Sequence, residues 1–136
     1  MGARAVRIFL VHAEQDHRLF DLLTSQARGA GIPVEFSHMP SKQPWVPHWK
    51  KSCRERIFAC DGAIVLISRK TSGASGVGAE LDFLSEAQVP TLGVLADQDA
   101  GTVPAQIRDV PLAAWSWTAI GEFLRSIERG AAAGGA

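Results

Sequence analysis

The chain has 136 residues, a length typical of one domain, and its 46% hydrophobic and 21% charged residues exclude a disordered or fibrous protein. Lys plus Arg number 14 and Asp plus Glu number 14, so the net charge is zero and we expect no nucleic-acid or membrane partner. The two cysteines form no C-x-x-C pair, and no run approaches the roughly 20 apolar residues that span a bilayer. These features predict a cytoplasmic domain at residues 1–129 and a flexible tail at 130–136.

Strands and helices alternate along the predicted chain. Short apolar runs predict strands at residues 5–11, 32–36, 63–68, 91–95 and 110–114. Helical spacing of apolar residues predicts helices at 14–28, 47–60, 75–87 and 117–129, with one further turn near residue 105. Strands that are apolar throughout and alternate with helices form a parallel sheet covered on both faces. We therefore predict a three-layer, flavodoxin-like domain of four to five strands in the order 2-1-3-4-5, in which Pro33 suits a strand at the edge or a strand end.

Ligands of such sheets bind beyond the carboxyl ends of the strands, which here means residues 12–16, 37–45, 68–75 and 96–99. The phosphate-binding and dinucleotide-binding glycine motifs are absent from the sequence, as is the G-x-S-x-G motif of hydrolases. The third strand ends in Ser68-Arg69, whereas a phosphorylation receiver needs an Asp there. We predict no metal site, because His12, Asp16 and His17 match no familiar ligand spacing.

Two polar features have both a structural and a functional interpretation. Glu80 follows a hydroxyl-rich and glycine-rich segment, SRKTSGASGVGAEL, early in the predicted third helix. An acid at that position is also stabilised by the helix dipole, by about 0.3–1 kcal/mol, with no function required. A basic stretch on the second helix is either a solvated face or a contact for phosphate or a partner; its members are Lys50, Lys51, Arg54 and Arg56.

Four segments in this order resemble the TIR-domain superfamily, specifically the bacterial TIR-like group of Thoeris antiphage defence. They are RIFLVHAEQD at 7–16, WKKSCRERIFACDGAIVLIS at 49–68, the series Thr71, Ser75, Val77, Glu80 and Leu81, and PTLGVLAD at 90–97. Each motif alone is weak, whereas the ordered set spans about residues 5–100 and is fairly specific.

The resemblance implies an enzyme that cleaves the nicotinamide–ribose bond of NAD, with Glu80 as its catalytic residue. NAD is then a substrate, and no cofactor is permanently bound. The group's members resemble synthases of cyclic ADP-ribose-type signals, which implies a diffusible product that reaches an effector protein, and self-assembly of the enzyme. The implied NAD-binding residues are His12, Ala13, Ser37, Trp45, Ser68, Thr71, Ser75 and Gly76.

Two departures from the family pattern concern substrate positioning. Gly76 stands where many TIR enzymes have an aromatic residue or Cys, and His12-Ala13 replaces the usual Ser or Tyr after the first strand. They favour an alternative, a non-catalytic module that signals by self-assembly or by docking a partner through residues 37–47 and the basic helix. A third alternative is a small flavodoxin-like binder of a nucleotide or flavin.

Overall fold

The computed structural model describes residues 5–96 and 103–134. Five parallel strands form one sheet, in the order β2-β1-β3-β4-β5. The strands are β1 (Val6–Val11), β2 (Val34–Ser37), β3 (Gly62–Ile67), β4 (Thr91–Leu95) and β5 (Leu112–Ala114). The predicted α/β fold, strand order and single domain are therefore confirmed, with β2 at the edge that Pro33 indicated.

Within residues 5–96 and 103–134, four helices cover the sheet: α1 (His17–Gly29), α2 (Pro47–Phe58), α3 (Val77–Ala87) and α4 (Trp117–Gly134). Two 3₁₀ turns, Glu14–Asp16 and Ala105–Ile107, precede α1 and β5. The largest difference from the prediction is the end of α4, which continues past residue 129 to Gly134. Alanines occupy 131–133, and because Ala is the strongest helix former they extend the helix into the predicted tail. Residues 135–136 of that tail lie outside the described residues.

The sheet has an apolar core on each face. One core joins α2 and α3 to side chains of the two central strands, including Phe9, Val11, Ala63, Val65 and Ile67. The other joins α1 and α4 to the alternate side chains, including Ile8, Leu10, Ile64 and Leu66. Both faces are buried, which is why these strands are apolar at every position rather than at every second one.

Amphipathic spacing predicted most of the buried helix positions. Trp49, Cys53 and Ile57 of α2 follow helical spacing and are buried, whereas Leu22 of α1, which fits the same kind of spacing, is 47% exposed. Leu22 adjoins Leu23 in sequence, and one helix stripe cannot bury both neighbours equally because each residue turns by about 100°.

The predicted crevice segments are brought to one edge of the sheet by the parallel strands. Residues 12–16 follow β1, and residues 68–76 join β3 to α3. The segment predicted at 96–99 lies, beyond Ala96, outside the described residues. Across the described ranges, no helix has both the length and the apolarity needed to cross a membrane.

Candidate functional site

Glu80 lies in the first turn of α3, at the carboxyl edge of the sheet, and its side chain is fully buried. Its Oε1 accepts a hydrogen bond from Lys42 Nζ at 2.6 Å. Its Oε2 is also buried and has no hydrogen-bond partner within the described ranges. Burial raises the pKa of Glu80 to about 7, against the opposing effect of the Lys42 ammonium. The site therefore contains a carboxylate with one oxygen engaged and one available.

Lys42 belongs to the loop between β2 and α2, residues 38–46, and no pattern in the sequence singled it out. Its side chain has no exposed surface, although lysines are rarely buried. Its backbone N–H donates to Glu14 Oε1 at 3.2 Å, and the Trp49 indole N–H donates to the neighbouring carbonyl of Ser41 at 2.5 Å. The side chain of Met39 is buried in the core that includes Trp49. These contacts hold the loop against the body of the domain.

Gly76 is required by this arrangement of the loop. It precedes α3 with a φ of 82°, in the left-handed region that favours glycine. A β-carbon on Gly76 would lie 3.0 Å from Lys42 Cβ and 3.2 Å from the Trp49 ring. The aromatic or Cys residue typical of many TIR enzymes at this position would require Lys42 and Trp49 to move.

Ser68 and Thr71 stabilise the turn that follows β3. The Ser68 hydroxyl donates to Asp16 Oδ2 and accepts the Lys70 N–H at 3.1 Å. The Thr71 hydroxyl accepts the Ser68 N–H at 2.8 Å and donates to the carbonyl of Leu66 at 3.2 Å. Both hydroxyl protons are thus used inside the protein, and each oxygen keeps one lone pair for a ligand.

Ala13 and His12 lie directly after β1 and are fully buried. His12 Nδ1 lies 2.8 Å from the carbonyl oxygen of Ala13, and its Nε2 lies 3.0 Å from His38 Nδ1. A carbonyl can only accept, so His12 carries its proton on Nδ1, and His38 Nδ1–H donates to His12 Nε2. Burial lowers the pKa of both imidazoles, that of His38 to about 4. Both rings are therefore neutral at pH 7.

The remaining predicted residues lie outside this cluster. Ser37 ends β2 and lines a pocket with Arg7 and Arg56. The side chain of Trp45 is 71% exposed, and Ser75 is also exposed. Within the described ranges none of these three side chains hydrogen-bonds to Glu80 or Lys42, and their assignment to NAD binding stays a prediction.

The basic stretch on α2 divides into two parts. Arg54 pairs with Glu86 at 2.6 Å across the surface, and Arg56 donates to the carbonyl of His38 at 2.7 Å. Lys50 and Lys51 are exposed. Arg56 therefore supports the loop that carries Lys42, which its place in a charged run did not indicate. In the described part of the chain, no three or more His, Cys, Asp or Glu side chains are grouped closely enough to hold a metal ion.

No protein-family model matches this sequence. No curated protein matches it either. Among solved structures, it is similar to a de novo designed Rossmann 2x3 fold protein, with 16% identity, 90% of each chain covered and a TM-score of 0.53. It also matches a 3-dehydroquinate dehydratase-like protein from Bifidobacterium longum, with 8% identity, 92% and 95% of the two chains covered and a TM-score of 0.44. The first likeness identifies the class of the fold, a Rossmann-like α/β domain.

Proposed function

We propose that this chain cleaves the nicotinamide–ribose bond of NAD, with Glu80 as the catalytic residue. The observation that supports this function is the free Oε2 of Glu80, buried at the ligand-binding edge of the sheet. A buried polar atom without a partner costs roughly 1–3 kcal/mol, and more when it is charged. A ribose hydroxyl that donates to Oε2 would recover this free energy on binding.

A single carboxylate suits this reaction. The bond between ribose C1′ and the nicotinamide nitrogen breaks, and its electron pair leaves with nicotinamide, which becomes neutral and needs no acid to protonate it. Positive charge develops on the ribose, as in glycoside cleavage, and the Glu80 carboxylate stabilises it. Water that bonds to C1′ and releases a proton gives ADP-ribose. Attack on C1′ by another group of the same NAD molecule, again with loss of a proton, gives a cyclic isomer.

The surrounding residues have supporting roles in this proposal. His12 and Ala13 border the nicotinamide-side ribose, while Ser68, Thr71 and Ser75 supply the polar lining. The glycine at 76 allows Lys42 and Trp49 to pack against the start of α3. Ser37 precedes the loop that covers the carboxylate, and Trp45 lies within that loop. Following the resemblance to the Thoeris group, we assign the cyclic isomer as the product, a diffusible signal for an effector protein in antiphage defence.

The direct test is chromatography of NAD after incubation with concentrated protein. We expect nicotinamide release from the wild type and a loss of about 100-fold or more in Glu80→Gln. Glu86→Gln is the matched control, because Glu86 lies on the same helix and is half exposed, in a surface pair. Full turnover by Glu80→Gln would remove Glu80 from the reaction. No release by the wild type, with or without phage-infected lysate as the trigger, would overturn the proposed activity.

A non-catalytic interaction module is the second candidate, and it is favoured by the burial of the site. Glu80 and Lys42 have no exposed surface, whereas Trp45 on the same loop is 71% exposed. A large exposed aromatic side chain is typical of contact surfaces between proteins. Sedimentation over a range of protein concentrations tests this function. Self-association that Trp45→Ala abolishes, in a protein that does not consume NAD, would favour the module over the enzyme.

A further inference from the structure

A positive charge already occupies the face of Glu80 that a cationic ligand would need. The Lys42 ammonium lies 2.6 Å from Oε1, and neither side chain has any exposed surface. The nicotinamide ring of oxidised NAD is positively charged at the nitrogen that joins it to ribose. A ligand that brings this charge to the Oε1 side of Glu80 must therefore take the place of the ammonium.

Lys42 is carried into the site by a loop with buried and exposed positions close together. Met39 and Lys42 point inward, whereas Pro40, Ser41 and Gln43 are exposed. In addition to the ion pair, this part of the loop is held by the buried side chain of Met39 and by the hydrogen bonds from Lys42 N to Glu14 and from Trp49 to Ser41. Glu14 is an exposed residue, so its bond competes with water. Movement of residues 39–46 away from the sheet edge would withdraw the ammonium and expose Glu80.

The titratable groups around the ion pair do not supply a substitute for the Lys42 charge. His12 from the end of β1 and His38 from the loop are neutral at pH 7 because burial lowers their pKa values. Cys53 from α2 is a neutral thiol because burial and Glu80 raise its pKa to about 12. Asp16 is hydrogen-bonded to Ser68 and is itself an acid. A neutral ligand that displaced Lys42 would leave Glu80 buried without a positive partner. The carboxylate would then stay uncompensated or take up a proton, and either outcome is less favourable than contact with a cationic ligand.

We propose that the Lys42 ammonium is an internal ligand of Glu80, which occupies the place of a cationic substrate group, keeps the site closed and makes a positive charge the condition for entry. The identity of the substrate rests on the proposed function, whereas the closure by Lys42 does not.

Chemical rescue tests the internal ligand without NAD. Lys42→Ala removes the atoms of propylammonium from the site, so we expect added propylammonium to raise the melting temperature of this variant. It should also restore protection of the amides of residues 39–46 against hydrogen exchange, which the substitution should accelerate about tenfold or more relative to β3. Propanol, which is similar in size but uncharged, should do neither. The wild type and Lys50→Ala, which removes an exposed lysine of α2, should respond to neither compound.

Equal effects of propylammonium and propanol, or none from either, would overturn the inference. Exchange that accelerates equally in β3 and in residues 39–46 would also overturn it, because the pair would then stabilise the whole fold and close nothing. If Lys42→Ala does not fold, Lys42→Met keeps most of the side-chain volume without the charge, and the same comparison of amide exchange applies to it.

Binding of oxidised and reduced NAD completes the test. We expect Lys42→Met to bind oxidised NAD at least about tenfold more tightly than the wild type does, since the internal competitor is gone. It should discriminate against the reduced form, whose nicotinamide ring is uncharged, by about 100-fold. Rescue by propylammonium without any NAD binding would support the closure and reject the proposed function. The opposite result is nicotinamide release by the wild type, an NAD affinity of Lys42→Met equal to that of the wild type, and no rescue by propylammonium. It would reject the closure by Lys42 and leave the proposed function standing.

Discussion

His38 Nδ1 lies 3.0 Å from His12 Nε2, so that two imidazoles from different parts of the chain share one hydrogen bond beside the candidate site. The His38 ring also stacks on Phe20, with 3.7 Å between ring centroids. A proton added to this pair would place a charge in a partly buried apolar setting near Lys42 and Arg56, which is the reason for the lowered pKa of His38.

The lowered pKa of His38 predicts that the protein loses stability in acid. The pKa of His38 falls from 6.5 in the unfolded chain to about 4 in the fold. Between these values the unfolded state binds more protons, so the free energy of unfolding is fully retained above pH 6.5 and decreases as the pH falls toward 4. Urea denaturation across this range should show a shallower decrease for His38→Asn than for the wild type. Parallel curves for the two proteins would contradict the prediction.

The raised pKa of Glu80 predicts that the free energy of unfolding changes with pH in the opposite direction over a similar pH range. Its pKa rises from 4.5 in the unfolded chain to about 7 in the fold, because burial disfavours the carboxylate. The folded state then binds more protons, and its contribution to stability, complete below pH 4.5, is lost as the pH rises toward 7. Glu80→Gln should abolish this component, which the difference between the urea midpoints of the two proteins would measure. A difference that does not vary with pH would show that Glu80 keeps an ordinary pKa.

Removal of one member of the buried ion pair should destabilise the fold. We expect Lys42→Met to lower the free energy of unfolding by about 3–5 kcal/mol, because the carboxylate is left buried without its partner. The double variant Lys42→Met/Glu80→Gln should recover part of that loss, and chemical denaturation measures both. The surface pair of Arg54 and Glu86, with about half of each side chain exposed, is the control and should change stability little when it is removed. Equal losses in the single and double variants would argue against a charge effect.

Gly76→Ala should be destabilising for two separate reasons. The residue has a φ of 82°, and a β-carbon would approach Lys42 Cβ to 3.0 Å. Backbone strain of this kind costs about 1–3 kcal/mol, and displacement of Lys42 adds to it. Gly73→Ala is the control, since a β-carbon on Gly73 would meet nothing within 4 Å. Similar melting temperatures for the two variants would refute this account of Gly76.

Gln26 links α1 to the beginning of α4 through two tryptophans. Its Oε1 accepts hydrogen bonds from the indole N–H groups of Trp115, at 3.0 Å, and Trp117, at 2.8 Å. Gln26→Leu leaves both donors without this acceptor, and we expect a loss of about 1–3 kcal/mol with a change in tryptophan fluorescence. Gln15→Leu, at an exposed position, should change neither. An unaltered emission spectrum in Gln26→Leu would show that the two indoles do not depend on this bond.

The fold could be predicted from local patterns because those patterns record burial. Residues 63–67 are apolar at every position, and only a strand covered on both faces needs that. The ends of the helices follow less directly from the sequence, because small differences in helix propensity decide them. The continuation of α4 to Gly134 is an example.

Part of the candidate site was also visible in the sequence. Glu80 follows a polar segment after the third strand, and the topology of a parallel sheet brings such segments to one edge. Lys42 gave no such signal, because a lysine in a proline-rich loop normally extends into water, and its partner is 38 residues away in sequence. His38 gave no signal either, because its partner His12 is 26 residues away in sequence.

The alternation of strands and helices and the edge at which polar residues collect followed from the sequence, because periodicity and apolar runs are local properties. The right-handed crossovers of parallel strands then led to the strand order. Only the fold shows that Lys42 covers Glu80, that a glycine at 76 is needed for Lys42 and Trp49 to pack there, and that burial lowers the pKa values of His12 and His38. Those outcomes depend on distances between residues remote in the chain and on the exclusion of water from around them, and neither quantity is written in a local pattern.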